Sequence, residues 1–156
     1  MKVAIIGGGF TGLAIARALL AKGFSVTLFD KRPIGEGTSG AASGLMHPFP
    51  GFAARISLYE KEAMALSCSL IEEASEHVGK PLCEKGGLLR IPLNESQATR
   101  WFELSQERED VAPLLELPPF LSANHPVYQI ASGLTVFSRD YLQALFSLCS
   151  TLGMKF

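Results

Sequence analysis

The chain has 156 residues and a formal net charge of −1 at pH 7, and 47% of its residues are hydrophobic while 19% are charged. This balance predicts a folded chain of about one domain and excludes intrinsic disorder. The near-neutral charge gives no basic surface for nucleic acid, the three cysteines lack metal-ligand spacing, and no apolar run is long enough to span a bilayer. We therefore expect a soluble, cytoplasmic protein with reduced thiols and no metal site.

A strand–helix–strand pattern occupies the first thirty residues. A short apolar run at residues 3–6 passes into the turn Gly-Gly-Gly-Phe-Thr-Gly, and a helical pattern then continues to Gly23. A second apolar run ends at Asp30. This order is typical of a βαβ dinucleotide-binding unit, although a glycine-rich turn alone also fits an ordinary α/β connection.

Each residue type in the turn has a physical role. Gly7 permits a tight turn, Gly9 leaves room for a pyrophosphate, and Gly12 lets the helix pack closely on the strand. The free amides and the positive dipole end of the helix face the phosphates. Asp30 follows Gly9 by 21 positions, a spacing at which a carboxylate reaches a ribose hydroxyl.

The loop over residues 31–51 has two halves of different composition. Small residues at 37–44 suit backbone donors that approach an anion, and the following Leu, Met, His, Phe and Pro residues suit a flat apolar ligand. A flexible linker would also be rich in small residues, but it would not require the large apolar residues of the second half. We therefore predict a cofactor-binding loop.

The glycine turn, the acid followed by Lys31 and Arg32, and the run Gly-Thr-Ser-Gly-Ala-Ala-Ser-Gly-Leu-Met-His-Pro together resemble the FAD-dependent amine and amino-acid oxidoreductases. That family includes D-amino-acid oxidase and dehydrogenase, glycine oxidase and sarcosine oxidase. The resemblance is strongest over residues 1–51 and implies FAD as the cofactor. The FAD-binding residues that it implies are Gly7, Gly9, Phe10, Thr11, Gly12, Asp30, Lys31, Thr38, Ser39, Ala42, Gly44, Leu45 and Met46.

The same resemblance gives these positions their roles. Thr38 and Ser39 would add phosphate contacts, Asp30 would bind the adenosine ribose, and residues 44–46 would lie against the isoalloxazine. Some relatives attach flavin covalently through a histidine, so His47 has that alternative, but a packed or loop-capping histidine is the favoured interpretation. The resemblance identifies no catalytic residue in this chain.

The middle of the chain is predicted to alternate helix and strand. Apolar residues recur at spacings of three and four from Phe52 towards Gly79, which predicts a helix. Residues 86–93 read as a strand, and Asn94 caps a second helix that ends near residue 110. Four prolines predict irregular structure over residues 111–126.

Two side chains in this region have alternative interpretations. Arg90 could clamp the carboxylate of an amino-acid substrate, but a solvent-facing strand arginine is favoured because alternation does not fix its face. Trp101 is predicted to serve packing rather than flavin contact.

The last third is predicted to return to the first sheet. Short β-like runs at 127–130 and 134–137 precede a helix from Ser138 to Gly153, and residues 154–156 begin a further parallel strand. We expect this strand to have an open edge and the apolar face of the last helix to be uncovered.

The predicted fold class is α/β, with a Rossmann-like FAD-binding βαβ unit (a partial doubly wound parallel sheet) and the beginning of an inserted antiparallel substrate-domain sheet. The predicted domains are a first FAD-binding segment at 1–80, a partial substrate domain at 81–137 and a truncated return to the FAD-binding domain at 138–156.

The leading functional hypothesis is the N-terminal part of an FAD-dependent oxidoreductase. By resemblance, it would oxidise a C–N bond of a small amine or amino acid by hydride transfer to flavin. The alternatives are an NAD-dependent dehydrogenase and a truncated non-catalytic fragment that needs a companion chain for the C-terminal half. We expect the 156 residues alone to be inactive.

Overall fold

The computed structural model describes residues 1–51 and 53–156. Its helices and strands, in chain order, are β1 (Lys2–Ile6), α1 (Phe10–Ala21), β2 (Ser25–Phe29), β3 (Leu45–Met46), α2 (Glu60–Val78), β4 (Cys83–Glu84), β5 (Leu88–Arg90), α3 (Glu95–Glu107), β6 (Val111–Pro113), β7 (Tyr128–Ile130), β8 (Leu134–Val136) and α4 (Ser138–Thr151).

The chain divides into two compact units. The first unit contains Met1–Gly44, Ala65–Cys83 and Val136–Phe156, and the second contains Leu45–Met64 and Glu84–Thr135. Assignment of flavin-binding and substrate-binding roles to domains stays a prediction. Among the described residues, none of the helices combines the length and apolar character that a membrane crossing requires.

A parallel sheet forms the centre of the first unit. β1 pairs with β2 along its whole length, with Val3 opposite Val26 and Ile5 opposite Leu28. Beyond β2, Lys155 forms a parallel bridge to Thr27 and donates its N–H to the carbonyl of Val26 at 3.0 Å. The parallel strand that the sequence predicts at residues 154–156 is therefore confirmed as far as this bridge.

Helices α1 and α4 bury apolar residues in the first unit. Leu13 and Ala16 of α1 are fully buried, and the rings of Phe10 and Tyr141 stack at 6.1 Å. The expectation of an uncovered apolar face on the last helix is wrong, because that face is packed within the unit. The buried residues of α4 are Ser138, Tyr141, Leu142, Ala144, Leu145, Leu148 and Cys149.

The second unit contains antiparallel strand pairs, as expected for an inserted sheet. Its main sheet has the order β5-β7-β6, and β3 pairs separately with the Leu134–Thr135 part of β8. The predicted cap of α3 is confirmed, since the side chain of Asn94 accepts a hydrogen bond from the amide of Gln97 at 3.0 Å. The core residues of this unit are Phe49, Ala54, Leu88, Trp101, Leu104, Val111, Tyr128 and Ile130.

Several sequence-based boundaries are wrong. The helix predicted from Phe52 begins at Glu60, and Phe52 itself lies outside the described residues. Ala54 has a φ of 45°, a left-handed value that a helix interior does not accept. The region predicted to be irregular contains β6, whose Pro113 is tolerated because β6 lies at the edge of its sheet.

Candidate cofactor-binding site

The glycine turn joins β1 to α1 through a conformation that requires glycine. Gly7 has a φ of +103° and donates its N–H to the carbonyl of Phe29 at 2.7 Å. A Cβ atom on Gly12 would lie 1.9 Å from the carbonyl oxygen of Gly7. These two glycines therefore bring the first turn of the helix against the end of the strand.

The N-terminus of α1 faces the loop that follows β2. Gly9 is the N-cap residue, and no side chain caps the helix from that position. The Phe10 amide donates a long 3.4 Å hydrogen bond to Oγ of Ser39, and a Cβ atom on Gly9 would lie 2.7 Å from the same oxygen. The positive end of the helix and the Ser39 hydroxyl thus form one polar surface.

Asp30 lies at the carboxyl end of β2 and organises the turn. Its Oδ2 accepts the Gly8 amide at 2.8 Å, and its Oδ1 accepts the Arg32 amide at 3.0 Å. The Gly8 hydrogen bond, followed by the Arg32 hydrogen bond, lowers the pKa of Asp30 below its ordinary value. The carboxylate is therefore ionised at neutral pH, and each oxygen retains a lone pair for a ligand hydroxyl.

Two pockets adjoin this carboxylate in the first unit. The smaller is a cavity of about 160 Å³, and the larger, of about 350 Å³, lies at the carboxyl ends of β1 and β2. The smaller cavity is lined by Gly8, Gly9, Asp30, Arg32, Pro33, Gly35, Gly37, Thr38, Ser39, Gly40 and Leu142. The larger is lined by Ile6, Gly7, Phe29, Asp30, Lys31 and Arg32. Asp30 and Arg32 line both.

The structure brings only part of the predicted set together around these pockets. Thr11 and Ala42 are exposed and line neither pocket. Gly44 has a φ of +75°, and a Cβ atom there would lie 1.9 Å from the Val136 carbonyl oxygen, so this glycine has a structural requirement of its own. Leu45 and Met46 form β3 in the second unit, and their flavin contact stays a prediction.

The sequence-based site omits several residues that line the smaller cavity. The Gly8 amide binds Asp30, and a Cβ atom on Gly8 would lie 2.3 Å from Cδ1 of Ile34. Arg32 also lines the cavity, and its position directly after the acid and Lys31 was the available signal. Gly8 occupies a variable position of the glycine motif, so the spacing of the motif does not single it out, and its role depends on the backbone contact with Asp30.

His47 belongs to the second unit and is half-buried. Its Nδ1 accepts the Phe49 amide at 3.2 Å, and the two rings stack at 6.3 Å. These contacts agree with the favoured interpretation of a packed histidine that caps its own loop.

The parallel strands, the glycine turn at a helix N-terminus and the acid that ends β2 together define a dinucleotide-binding α/β protein. The model of the DAO family, described as FAD dependent oxidoreductase, matches residues 2–156. The chain therefore belongs to the DAO family of FAD-dependent oxidoreductases.

Two members of that family are among the proteins to which this chain is similar. Glycine oxidase from Geobacillus kaustophilus is 35% identical over 100 residues, which cover 62% of this chain and 26% of the relative. Its crystal structure matches with a TM-score of 0.79 and 27% identity over 98% of this chain and 45% of that one. L-proline dehydrogenase from P. horikoshii shares the fold, with a TM-score of 0.77 at 19% identity over 99% of this chain and 42% of that one.

The chain thus spans less than half the length of these relatives. FAD, rather than NAD, is the cofactor of the family. The residues present fit such a group. A Cβ atom on Gly9 would lie 2.7 Å from the Ser39 hydroxyl beside the helix N-terminus, and a Cβ atom on Gly12 would lie 1.9 Å from the Gly7 carbonyl oxygen, so a larger residue there would separate helix from strand.

Proposed function

We propose that the first unit binds the ADP part of FAD and serves an oxidoreductase that oxidises a C–N bond of a small amine or amino acid. The observation that carries this proposal is Asp30, which is bound to the Gly8 amide beside the N-terminus of α1. FAD, when bound, supplies the hydride acceptor.

The chain's own residues would hold the cofactor by complementary charges. The amides and the positive dipole end of α1 would bind the pyrophosphate, with the Ser39 hydroxyl as a further donor next to Phe10. Asp30 would accept hydrogen bonds from the ribose hydroxyls, and its negative charge would repel a 2′-phosphate. This arrangement favours FAD over NADP.

The proposed substrate class, small amines or amino acids, is supported by the similarity of this chain to known oxidoreductases. One relative, glycine oxidase from Geobacillus kaustophilus, is 35% identical over 100 residues, and its name indicates an amino-acid substrate. Since the chain spans less than half of these relatives, we further propose that turnover requires polypeptide outside these 156 residues, here called the companion, that supplies the rest of the substrate pocket. The alternative, a nucleotide-binding segment without catalytic function, would bind FAD but acquire no activity from any companion.

A binding experiment tests the cofactor proposal. The purified chain is analysed by absorption spectroscopy and by chromatography of the extracted nucleotide, and its FAD affinity is compared with that of Asp30→Asn. The control is Asp140→Asn, which changes an exposed carboxylate of the same unit that pairs with Lys80 at 2.7 Å. We expect bound FAD and a roughly tenfold loss of affinity in Asp30→Asn alone. A nicotinamide nucleotide without flavin, or equal effects of the two variants, would contradict the proposal.

A second experiment tests activity. Dye reduction is measured with glycine, sarcosine, D-amino acids and proline, for the FAD-loaded chain alone and with the C-terminal half of a glycine oxidase added as a separate polypeptide. We expect turnover only in the mixture. Turnover by the chain alone would refute the need for a companion, and inactivity of a mixture that forms a stable flavin complex would favour the non-catalytic alternative.

A further inference from the structure

The loop between β6 and β7 in the second unit exposes large apolar side chains over residues 114–121, here called the apolar loop. Leu115 is 95% exposed and Phe120 is 87% exposed. Glu116 is the one charged residue of this segment, so the segment has no basic side chain that would favour an anionic lipid surface. Exposed apolar residues that adjoin one acidic residue suit a protein partner.

Two backbone hydrogen bonds hold the apolar loop in shape. At its start, the Leu114 amide donates to the Val127 carbonyl at 2.8 Å. At its end, the Leu121 amide donates to the Pro118 carbonyl at 2.8 Å, which closes a four-residue turn with Phe120 as its third residue. A side chain presented by a closed turn loses less conformational freedom when a partner binds it.

A pocket of about 410 Å³ at the end of β5, here called the aliphatic pocket, is of a kind that could receive such a side chain. Leu93, one of its lining residues, is 75% exposed, and no residue of the apolar loop lines it. An aromatic ring is the usual anchor for a pocket of this character at a protein interface. The lining residues are Gly51, Leu89, Arg90, Ile91, Leu93 and Gln97.

Arg90 gives the aliphatic pocket its charge. Its guanidinium carbon lies 5.4 Å from the centre of the buried Trp101 ring, and the residue is half-buried, so the favoured sequence interpretation of a solvent-facing arginine misses this contact. Another arginine of the unit, Arg108, pairs with Glu60 at 2.5 Å and with Asp110 at 2.9 Å. Within the described residues of the second unit, no carboxylate pairs with Arg90. Its donors are thus available to a carboxylate of another molecule.

The apolar loop and the aliphatic pocket lie at the same end of the main sheet. Arg90 of β5 and Pro113 of β6 are both opposite Tyr128 of the central strand β7, one on each side. Strands that flank a common neighbour are about 10 Å apart, so the loop that follows β6 and the pocket that follows β5 are neighbours. One face of the unit therefore presents both halves of a complementary pair, which is what a two-fold interface between identical chains requires.

We propose that this face of the second unit binds a second copy of the chain in a two-fold dimer, in which Phe120 of each copy enters the aliphatic pocket of the other and Glu116 pairs with Arg90 across the interface. The charges are opposite, and an arginine–carboxylate pair can form two parallel hydrogen bonds. The contact is small, so we expect a transient dimer with a micromolar dissociation constant. This inference does not depend on flavin binding or on the substrate.

The experiment measures self-association of the full chain, without flavin, by sedimentation velocity over a range of micromolar concentrations. Glu116→Arg and Arg90→Glu each place like charges opposite one another in a homodimer, and Phe120→Ser removes the ring. The control is Glu109→Arg, because Glu109 is an exposed acid just before β6, at the end of that strand away from the apolar loop. Circular dichroism checks that each variant is folded.

We expect a monomer–dimer equilibrium whose dissociation constant rises roughly tenfold or more in each of the three interface variants and stays unchanged in Glu109→Arg. An equimolar mixture of Glu116→Arg and Arg90→Glu should dimerise like the unaltered chain. In that mixed dimer one contact keeps the original pair and the other has the same pair with its charges exchanged.

Three results would overturn the proposal. The first is a chain that stays monomeric at all these concentrations, which would assign the apolar loop to a different partner. The second is a dimer that folded Glu116→Arg and Phe120→Ser proteins form as well as the unaltered chain does. The third is a mixture of the two charge variants that does not recover, or a series of larger species in place of a dimer, since either excludes the reciprocal arrangement.

Discussion

The glycine turn of the first unit and the aromatic cluster of the second, defined as Phe49, Trp101 and Tyr128, are stabilised in different ways. The turn uses backbone groups from residues 7–12 and a carboxylate at Asp30, all within one short stretch of sequence. The cluster joins side chains that are far apart in the sequence, and it holds Arg90 on its surface. Backbone geometry therefore determines the shape of the glycine turn, whereas side-chain packing determines the position of Arg90 on the aromatic cluster.

The largest effect is expected from Trp101→Ala. The ring is 2% exposed and contacts Phe49, Tyr128 and Arg90, so its removal leaves a cavity at the centre of the second unit. The free energy of unfolding should fall by about 3–5 kcal/mol. Hydrogen exchange followed by mass spectrometry should show the loss of protection mainly in residues 84–135. An equal loss of hydrogen-exchange protection in both units would contradict the view that Trp101 stabilises mainly the second unit.

Gly12→Ala should destabilise the first unit. The added Cβ atom would lie 1.9 Å from the Gly7 carbonyl oxygen, so backbone must move, at a cost of about 1–3 kcal/mol. The matched control is Gly86→Ala, because a Cβ atom at Gly86 meets nothing within 4 Å. Denaturant unfolding compares the two variants. If the two variants have the same free energy of unfolding, the close contact between Gly12 and the Gly7 carbonyl does not contribute to the stability of the turn.

Asp110 should make the second unit acid-sensitive. Burial alone would raise its pKa, but hydrogen bonds from Arg108 and then Ser132 hold the pKa below its usual value. The folded-state pKa is thus the lower one, so this stabilisation is complete above the unfolded pKa of about 4 and is lost as the pH falls through the folded pKa. Asp110→Asn should cost about 1 kcal/mol at pH 7, after allowance for partial exposure, and little at pH 2. A cost that does not change with pH would exclude the ion pair as its origin.

The smallest effect is expected at Lys80, in the first unit. Its ammonium lies 2.7 Å from Asp140, but the two side chains are 57% and 47% exposed. Lys80→Ala should therefore change the free energy of unfolding by less than about 1 kcal/mol. A double-mutant cycle with Asp140→Ala measures the coupling. A large coupling energy would show that charged side chains stabilise the first unit as strongly as the Arg108 network stabilises the second.

The sequence predicted features that depend on neighbouring residues. The βαβ order and the Asn94 cap follow from local glycines, capping side chains and apolar runs, and the strand at Lys155 was predicted from its place after a helix that follows the βαβ unit, although its partner Thr27 is distant in the sequence. The burial of Tyr141 and its neighbours was missed because it requires knowledge of what packs on α4. Strand β6 was missed because its pairing with β7 outweighs the local preference of Pro113.

In the candidate sites, too, the sequence predicted which residues matter but not the contacts that depend on the three-dimensional fold. Asp30 could be predicted by spacing, but its bond to the Gly8 amide required the three-dimensional turn. Arg90 was recognised as a possible carboxylate clamp, yet its contact with Trp101 joins a strand to a helix and is not visible in alternation. Phe49 was predicted to suit a flat apolar ligand, but it is fully buried in the core of the second unit and contacts both His47 and Trp101.

The measurement that tests the central proposal most directly is a hydrogen-exchange comparison of the full chain with and without FAD. We expect FAD to protect the amides of residues 7–12 and 30–44, and we expect Asp30→Asn to reduce that protection while Asp140→Asn does not. Protection confined to the second unit, or FAD binding that leaves the amides of residues 7–12 unprotected, would contradict the assignment of the cofactor site.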